Sequence, residues 1–379
     1  MRSLELARDL TEHYLPGLSK ALEAIPYEER EARESPVVGI FRAHGGAGLL
    51  VPEEYGGLGA DILDAVRVQR ALGSFSPSLA AATAMHHFTV AMLYALAAEP
   101  GRLTGAQLKV LHEVAPGRRL MASGWAEGRT QQNILIPAVT ATRTDGGYLL
   151  RGSKKPCSLA RSMDVLTASI AVPGADGAPE LALALVPASS PGLSVHPFWA
   201  NEVLAAAESD EVRLDDVFIA DELVVTTSAD DPGRLEDLQT AGFAWFELMA
   251  SSGYAGAATT LVDRVVERGR GGTADRADIA LRTESAFALL EGAARAVRDG
   301  LQGEAAVAAV LVARYAAQES LARAADRSLE LLGGIDFIRS NENARLAAAV
   351  RPLAFHPPGR ASAEEPLLKW FAGEPLELA

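Results

Sequence analysis

Apolar residues recur at helical spacing over the first third of the chain. Leu4, Ala7, Leu10 and Tyr14 share one helix face, and Leu18, Leu22 and Ile25 another beyond Pro16. The spacing returns in Ala65, Val68 and Leu72, then in Met85, Phe88, Met92 and Leu96. Between these stretches Val51–Asp61 reads VPEEYGGLGAD, a turn carrying three glycines. From about Leu120 the period changes to two. Val139, Ala141 and Arg143 alternate with threonines, and Asp145-Gly146-Gly147 turns the chain into Tyr148-Leu149-Leu150, which predicts a hairpin. Further strands are predicted at Val165–Val172, Leu181–Val186 and Val212–Leu214. From about Pro232 long helices return over Leu235–Val266, Ala274–Asp299 and Glu304–Leu332. The first and third have long stretches almost free of charge and are expected to be buried; the second should keep a face in water.

The order predicts an α+β protein with segregated layers: a helical domain over 1–119, a β domain over 120–225 and a helical domain over 226–379. No GxGxxG follows a strand, so a dinucleotide-binding βαβ unit is not expected.

Charge narrows the functions. A net charge of −14 speaks against nucleic acid and against an anionic membrane surface, while a local arginine cluster could still hold a polyanion such as CoA. No apolar run approaches the roughly 18 residues of a membrane span. The opening thirty residues carry acidic side chains throughout and predict neither a signal nor a transit peptide. With Cys157 as the single cysteine, no internal disulfide forms, which agrees with an expected cytoplasmic location. No His/Cys/Asp spacing suggests a metal.

Several local sequences resemble the acyl-CoA dehydrogenase family. Val51-Pro52-Glu53-Glu54-Tyr55-Gly56-Gly57-Leu58-Gly59 resembles its turn between early helices. Met121–Gly128 lies where the family has a segment ending in Thr-Glu-Pro-Gly against the flavin pyrimidine edge; here Ala126 replaces the threonine and Gly128 the proline. Gly147–Lys155 resembles the strand before a Trp-Ile-Thr run on the flavin, replaced here by Pro156-Cys157-Ser158. Glu211–Val217 resembles the close of the β domain, and Leu331-Leu332-Gly333-Gly334 a glycine pair that approaches a neighbouring subunit's FAD. The resemblance implies a C-terminal four-helix bundle and bound FAD, with Trp125, Ala126, Glu127 and Ser158 beside the isoalloxazine and Arg268, Arg270, Gly333 and Gly334 serving a partner's cofactor. It therefore implies a homodimer or homotetramer.

The family's usual base is a glutamate in a C-terminal Tyr-Glu-Gly run, removing the α-proton of an acyl thioester. His356 stands at about that place. Some members carry the base on the first long bundle helix, and Glu247 aligns within about one residue of that position. Glu247 is also the only charged residue between Asp237 and Asp263, on a helix expected to be buried. A salt bridge to a neighbouring helix would account for it equally well.

Three functions follow. The first is a dehydrogenase acting on an acyl thioester of CoA or a carrier protein, with an electron-accepting flavoprotein or O2 as partner. The second is a flavin monooxygenase on the same fold, which the missing base and the histidines His86, His87 and His356 support. The third is a non-catalytic scaffold. His86 and His87 are expected to be a satisfied core histidine and a surface neighbour.

Overall fold

The computed structural model describes residues 1–128, 137–174, 179–226 and 234–378, with backbone alone over 234–241. The first helices are α1 (Arg2–Tyr14), α2 (Leu18–Glu23), α3 (Tyr27–Arg30), α4 (Val37–Ala43), α5 (Ile62–Phe75), α6 (Pro77–Ala97) and α7 (Gly105–His112). Their starts are set locally. Asp61 caps α5 by accepting from the Asp64 N–H, Ser76 caps α6 with Pro77 in its first turn, and Thr104 with Gln107 forms a capping box on α7.

Helix α6 corrects one expectation. By length and composition it is apolar enough to cross a membrane, although 78% of its apolar window is buried inside the protein. Its two histidines and its threonines broke the run in the sequence, but they too are buried.

The sheet contains β1 (Met121–Gly124), β2 (Thr140–Thr144), β3 (Gly147–Cys157), β4 (Val165–Pro173), β5 (Pro179–Pro187), β6 (Leu193–His196), β7 (Asp210–Ala220) and β8 (Val224–Thr226). The order is β6-β7-β3-β2-β4-β5-β8, with β1 added in parallel to β4. The Asp145–Gly147 hairpin forms as predicted, with Gly146 at φ +72°. The short strands β1, β6 and β8 carry too few residues to show a period.

The C-terminal layer has three long helices, α8 (Arg234–Glu267), α9 (Thr273–Arg298) and α10 (Gly303–Leu332), followed by α11 (Gly334–Arg339), α12 (Glu342–Ala349) and α13 (Arg360–Phe371). Helix α8 is the hub: α5, α6, α9, α10 and α12 all pack on it.

The α5–α8 crossing depends on glycine. A Cβ on Gly73 would lie 1.9 Å from the Gly253 carbonyl oxygen, and one on Gly256 would lie 2.1 Å from that of Arg70. Backbone therefore meets backbone, and α8 is fixed in rotation and height beside α5. Gly256→Ala must push the helices apart and should cost about 1–3 kcal/mol in thermal or denaturant unfolding. Gly292→Ala, on exposed helix with no atom near its added Cβ, should instead stabilise by about 0.5–1 kcal/mol. Equal melting of the two variants would refute this account of the crossing.

Candidate active site

The end of β1 runs beside the end of β3. The Lys155 N–H donates to the Ala126 carbonyl at 2.8 Å, and Glu127 bridges to Lys155 in parallel. The Cys157 thiol reaches the Ser123 carbonyl at 3.5 Å, and burial pushes that thiol up to about 12, which leaves it a poor nucleophile. Trp125, Ala126, Glu127 and Ser158 are thereby brought together. The Glu127 carboxylate turns inward: it accepts from Lys154 Nζ at 2.6 Å and from the backbone N–H groups of Ala138 and Val139. Ser158 Oγ lies 2.9 Å from Ser209 Oγ. Trp125 Nε1 is buried and has no acceptor among the described residues. Gly128 has φ +71°, which a proline ring cannot adopt.

The second group of side chains lies on the helical layer. Glu247 is fully buried on α8. Arg314 NH1 of α10 donates to its Oε1 at 2.7 Å. The same guanidinium donates through NH2 to the carbonyls of Leu353 at 3.0 Å and His356 at 2.6 Å. The other carboxylate oxygen, Oε2, has no partner among the described residues, nor has Ser251 Oγ one turn along α8. Burial pushes the Glu247 carboxyl up to about 7, against the opposing pull of Arg314. His356 Nε2 lies 2.8 Å from Tyr254 Oη, and burial, with Arg314 nearby, pushes the imidazole down to about 3. The Phe246 ring meets His356 edge-on at 5.3 Å and Phe88 at 5.5 Å. Glu247 and the backbone of His356 are thus joined through Arg314, and Glu247 has the salt bridge that was the alternative explanation of its position.

Sequence reasoning missed Arg314, Tyr254 and Ser251. The signal for Arg314 was present: it is the only charged residue between Glu304 and Glu319. Two lone charges of opposite sign on two apolar helices predict each other.

His86 is a satisfied core residue. The Met121 N–H donates to its Nδ1 at 3.0 Å, so Nε2 carries the proton and donates to the Ala47 carbonyl at 2.9 Å. Burial pushes it down to about 4. His87 is not the surface neighbour expected. It is fully buried against Phe41, with no partner for either ring nitrogen among the described residues, because both faces of α6 at that level are covered. Arg268, Gly333 and Gly334 form a separate cluster, in which Arg268 NH1 donates at 2.6 Å to Asp336 of α11; Arg270 nearby is exposed. This cluster lies about 30 Å along α8 from Glu247, at 1.5 Å per residue. Among the described residues no group of three His, Cys, Asp or Glu side chains could hold a metal.

The family model of the acyl-CoA dehydrogenase N-terminal domain matches residues 5–100. Over its full length the chain is similar to the isobutylamine N-hydroxylase of Streptomyces viridifaciens, 59% identical over 378 residues and covering 100% of both. The chain belongs to the acyl-CoA dehydrogenase family. Solved structures share the fold. XiaF from a Streptomyces species, in complex with FADH2 and glycerol, superposes with a TM-score of 0.80 at 23% identity, covering 100% of this chain and 98% of that one. KijD3, in complex with FMN and a dTDP-linked amino sugar, gives 0.83 at 22% identity, covering 98% and 94%. Set beside the family pattern, this member holds its α8 carboxylate in a buried ion pair and a neutral imidazole near the usual base position.

Proposed function

We propose that this chain is a flavin-dependent monooxygenase that hydroxylates the nitrogen of a small primary amine. The observation that carries the reading is the full-length similarity to isobutylamine N-hydroxylase. The site supports it. His356, held near 3 and bonded to Tyr254, is a poor acceptor for a thioester α-proton. Acyl-thioester desaturation, expected as the main activity, is the weaker reading, because the relative matched over the full length is an amine N-hydroxylase.

The residues present fit a flavin. Trp125 Nε1 is a buried donor lacking an acceptor among the described residues, such as a flavin ring edge offers, and Ser158 supplies a hydroxyl from the turn that follows β3. When bound, reduced flavin supplies the electrons with which O2 is divided between the substrate nitrogen and water. The chain's own part is to orient that ring from Trp125–Glu127 and Ser158, and to shield the reacting nitrogen with Phe88, Phe246 and Tyr254. The partners are O2, a primary amine and a source of reduced flavin. The cluster of Arg268, Arg270, Gly333 and Gly334 serves the flavin of a second copy, with exposed Ile335, Phe337 and Ile338 of α11 in the contact, so the protein is a homo-oligomer.

Anaerobic mixing of the oxidised, flavin-loaded protein with saturated acyl-CoA thioesters tests the reading against desaturation. The flavin absorbance should be unchanged. Bleaching would restore the dehydrogenase.

A further inference from the structure

Two polar atoms on one face of α8 lack partners. Glu247 Oε2 and Ser251 Oγ are both buried and unpaired among the described residues. Residues four apart on a helix are neighbours, with Cβ atoms about 6 Å apart. An acceptor and a hydroxyl so placed, with no group among the described residues to meet them, are costly unless something else fills the role. We propose that Glu247 Oε2 and Ser251 Oγ bind the primary ammonium group of the substrate, and that Glu247 takes its proton. The proposal rests on the amine-hydroxylase reading and adds the residues that recognise and prepare the amine.

The chemistry fits in three respects. An ammonium group has three N–H donors, enough for both oxygens at once. The surroundings suit a short alkyl tail: Phe246, Phe88, Tyr254 and His356 are linked by ring contacts, and half-buried Phe246 and His356 form the outer edge. Arg314 NH1 holds Oε1 and leaves Oε2 as the only oxygen open to a ligand.

An alkylammonium ion is not a nucleophile; its nitrogen must lose a proton before it can accept oxygen. In the step proposed, an N–H bond of the ammonium breaks and an O–H bond forms at Oε2, giving neutral amine and neutral carboxylic acid. No electrons change hands. In water the step runs uphill, since an alkylammonium titrates near 10.4, as lysine does. Burial narrows that gap from both ends: it penalises the ammonium, and it already holds the Glu247 carboxyl near 7. Arg314 acts in the other direction and keeps a fraction ionised and able to accept. The other titratable groups near this carboxylate are Tyr254, Tyr315 and His356. Burial pushes both phenols up and the imidazole down, so around neutral pH Glu247 is the member of the group that changes charge.

The test is calorimetric titration of the oxidised, flavin-loaded protein with isobutylamine and other short primary alkylamines. Buffers of different ionisation heat count the protons released. Above pH 7.5 wild type should bind with almost no net proton release, because the proton lost by nitrogen stays on Glu247. Below about pH 7 affinity should fall roughly tenfold per pH unit. Glu247→Gln should bind at least about 100-fold more weakly, and residual binding should release about one proton per amine. Ser251→Ala should lose about tenfold in affinity with the proton count unchanged. Wild-type affinity and proton count in Glu247→Gln would overturn the proposal, as would failure of every amine in the series to bind wild type. If Glu247→Gln does not fold, unchanged affinity in Ser251→Ala does so. Binding needs no oxygen, so the two readings fail separately. Amine bound as described but never hydroxylated sinks the reaction alone. Hydroxylation by Glu247→Gln with unchanged affinity and rate sinks the site alone.

Discussion

Arg314→Ala is expected to lower the unfolding free energy by about 3–5 kcal/mol, since removing one partner of a buried ion pair leaves an uncompensated charge. Arg314 also donates to the carbonyls of Leu353 and His356, so its loss frees the segment that holds His356. The effect should depend on pH. The folded Glu247 carboxyl is raised to about 7, against about 4.3 for an unfolded glutamate. A group raised in this way favours the fold fully below its unfolded pKa, and that contribution is lost as pH rises through about 7. Without Arg314 the folded value climbs further, and the loss continues to higher pH. The gap between variant and wild type, read from urea unfolding, should be larger at pH 8 than at pH 5. A gap independent of pH would show that only the carbonyl bonds matter.

His86→Ala should be of similar size with the opposite pH signature. It leaves the buried Met121 N–H and Ala47 carbonyl without partners, at about 1–3 kcal/mol each, and opens a cavity between α6, the Gly45–Gly48 turn and β1. His86 is lowered to about 4 in the fold, against about 6.5 when unfolded. Its contribution is complete above pH 6.5 and is lost as pH falls toward 4. The difference between wild type and His86→Ala should therefore shrink on acidification, where the Arg314 difference grows on alkalinisation. Because His86 holds the first residue of β1, the variant should also retain flavin less well. Unchanged stability and flavin content would mean that the imidazole does not anchor β1.

Periodicity made the long elements legible. The three predicted helices of the C-terminal layer match α8, α9 and α10 to within a few residues, because 26 residues or more of apolar pattern outweigh any local ambiguity. Strands β1, β6 and β8 are three or four residues long and were not separable from loop. The candidate site was half legible. Glu247 stood out as a lone charge in an apolar helix, and the resemblance pointed to Trp125–Glu127 and Ser158. That Arg314 binds Glu247 depends on the rotation of α8 against α10, and no local pattern carries that information; the close contacts at Gly73, Gly253 and Gly256 set α8 against α5 and α6. His87 was misjudged because two adjacent histidines suggest one face in and one out, whereas α6 is covered on both faces at the level of His86 and His87.

The central claim is that oxygen from O2 is added to an amine nitrogen. The purified protein, supplied with enzymatically reduced flavin and isobutylamine under oxygen-18 gas, should form N-isobutylhydroxylamine carrying one labelled oxygen. Hydroxylamine without label, or no hydroxylamine while an acyl thioester is desaturated in the same preparation, would contradict it.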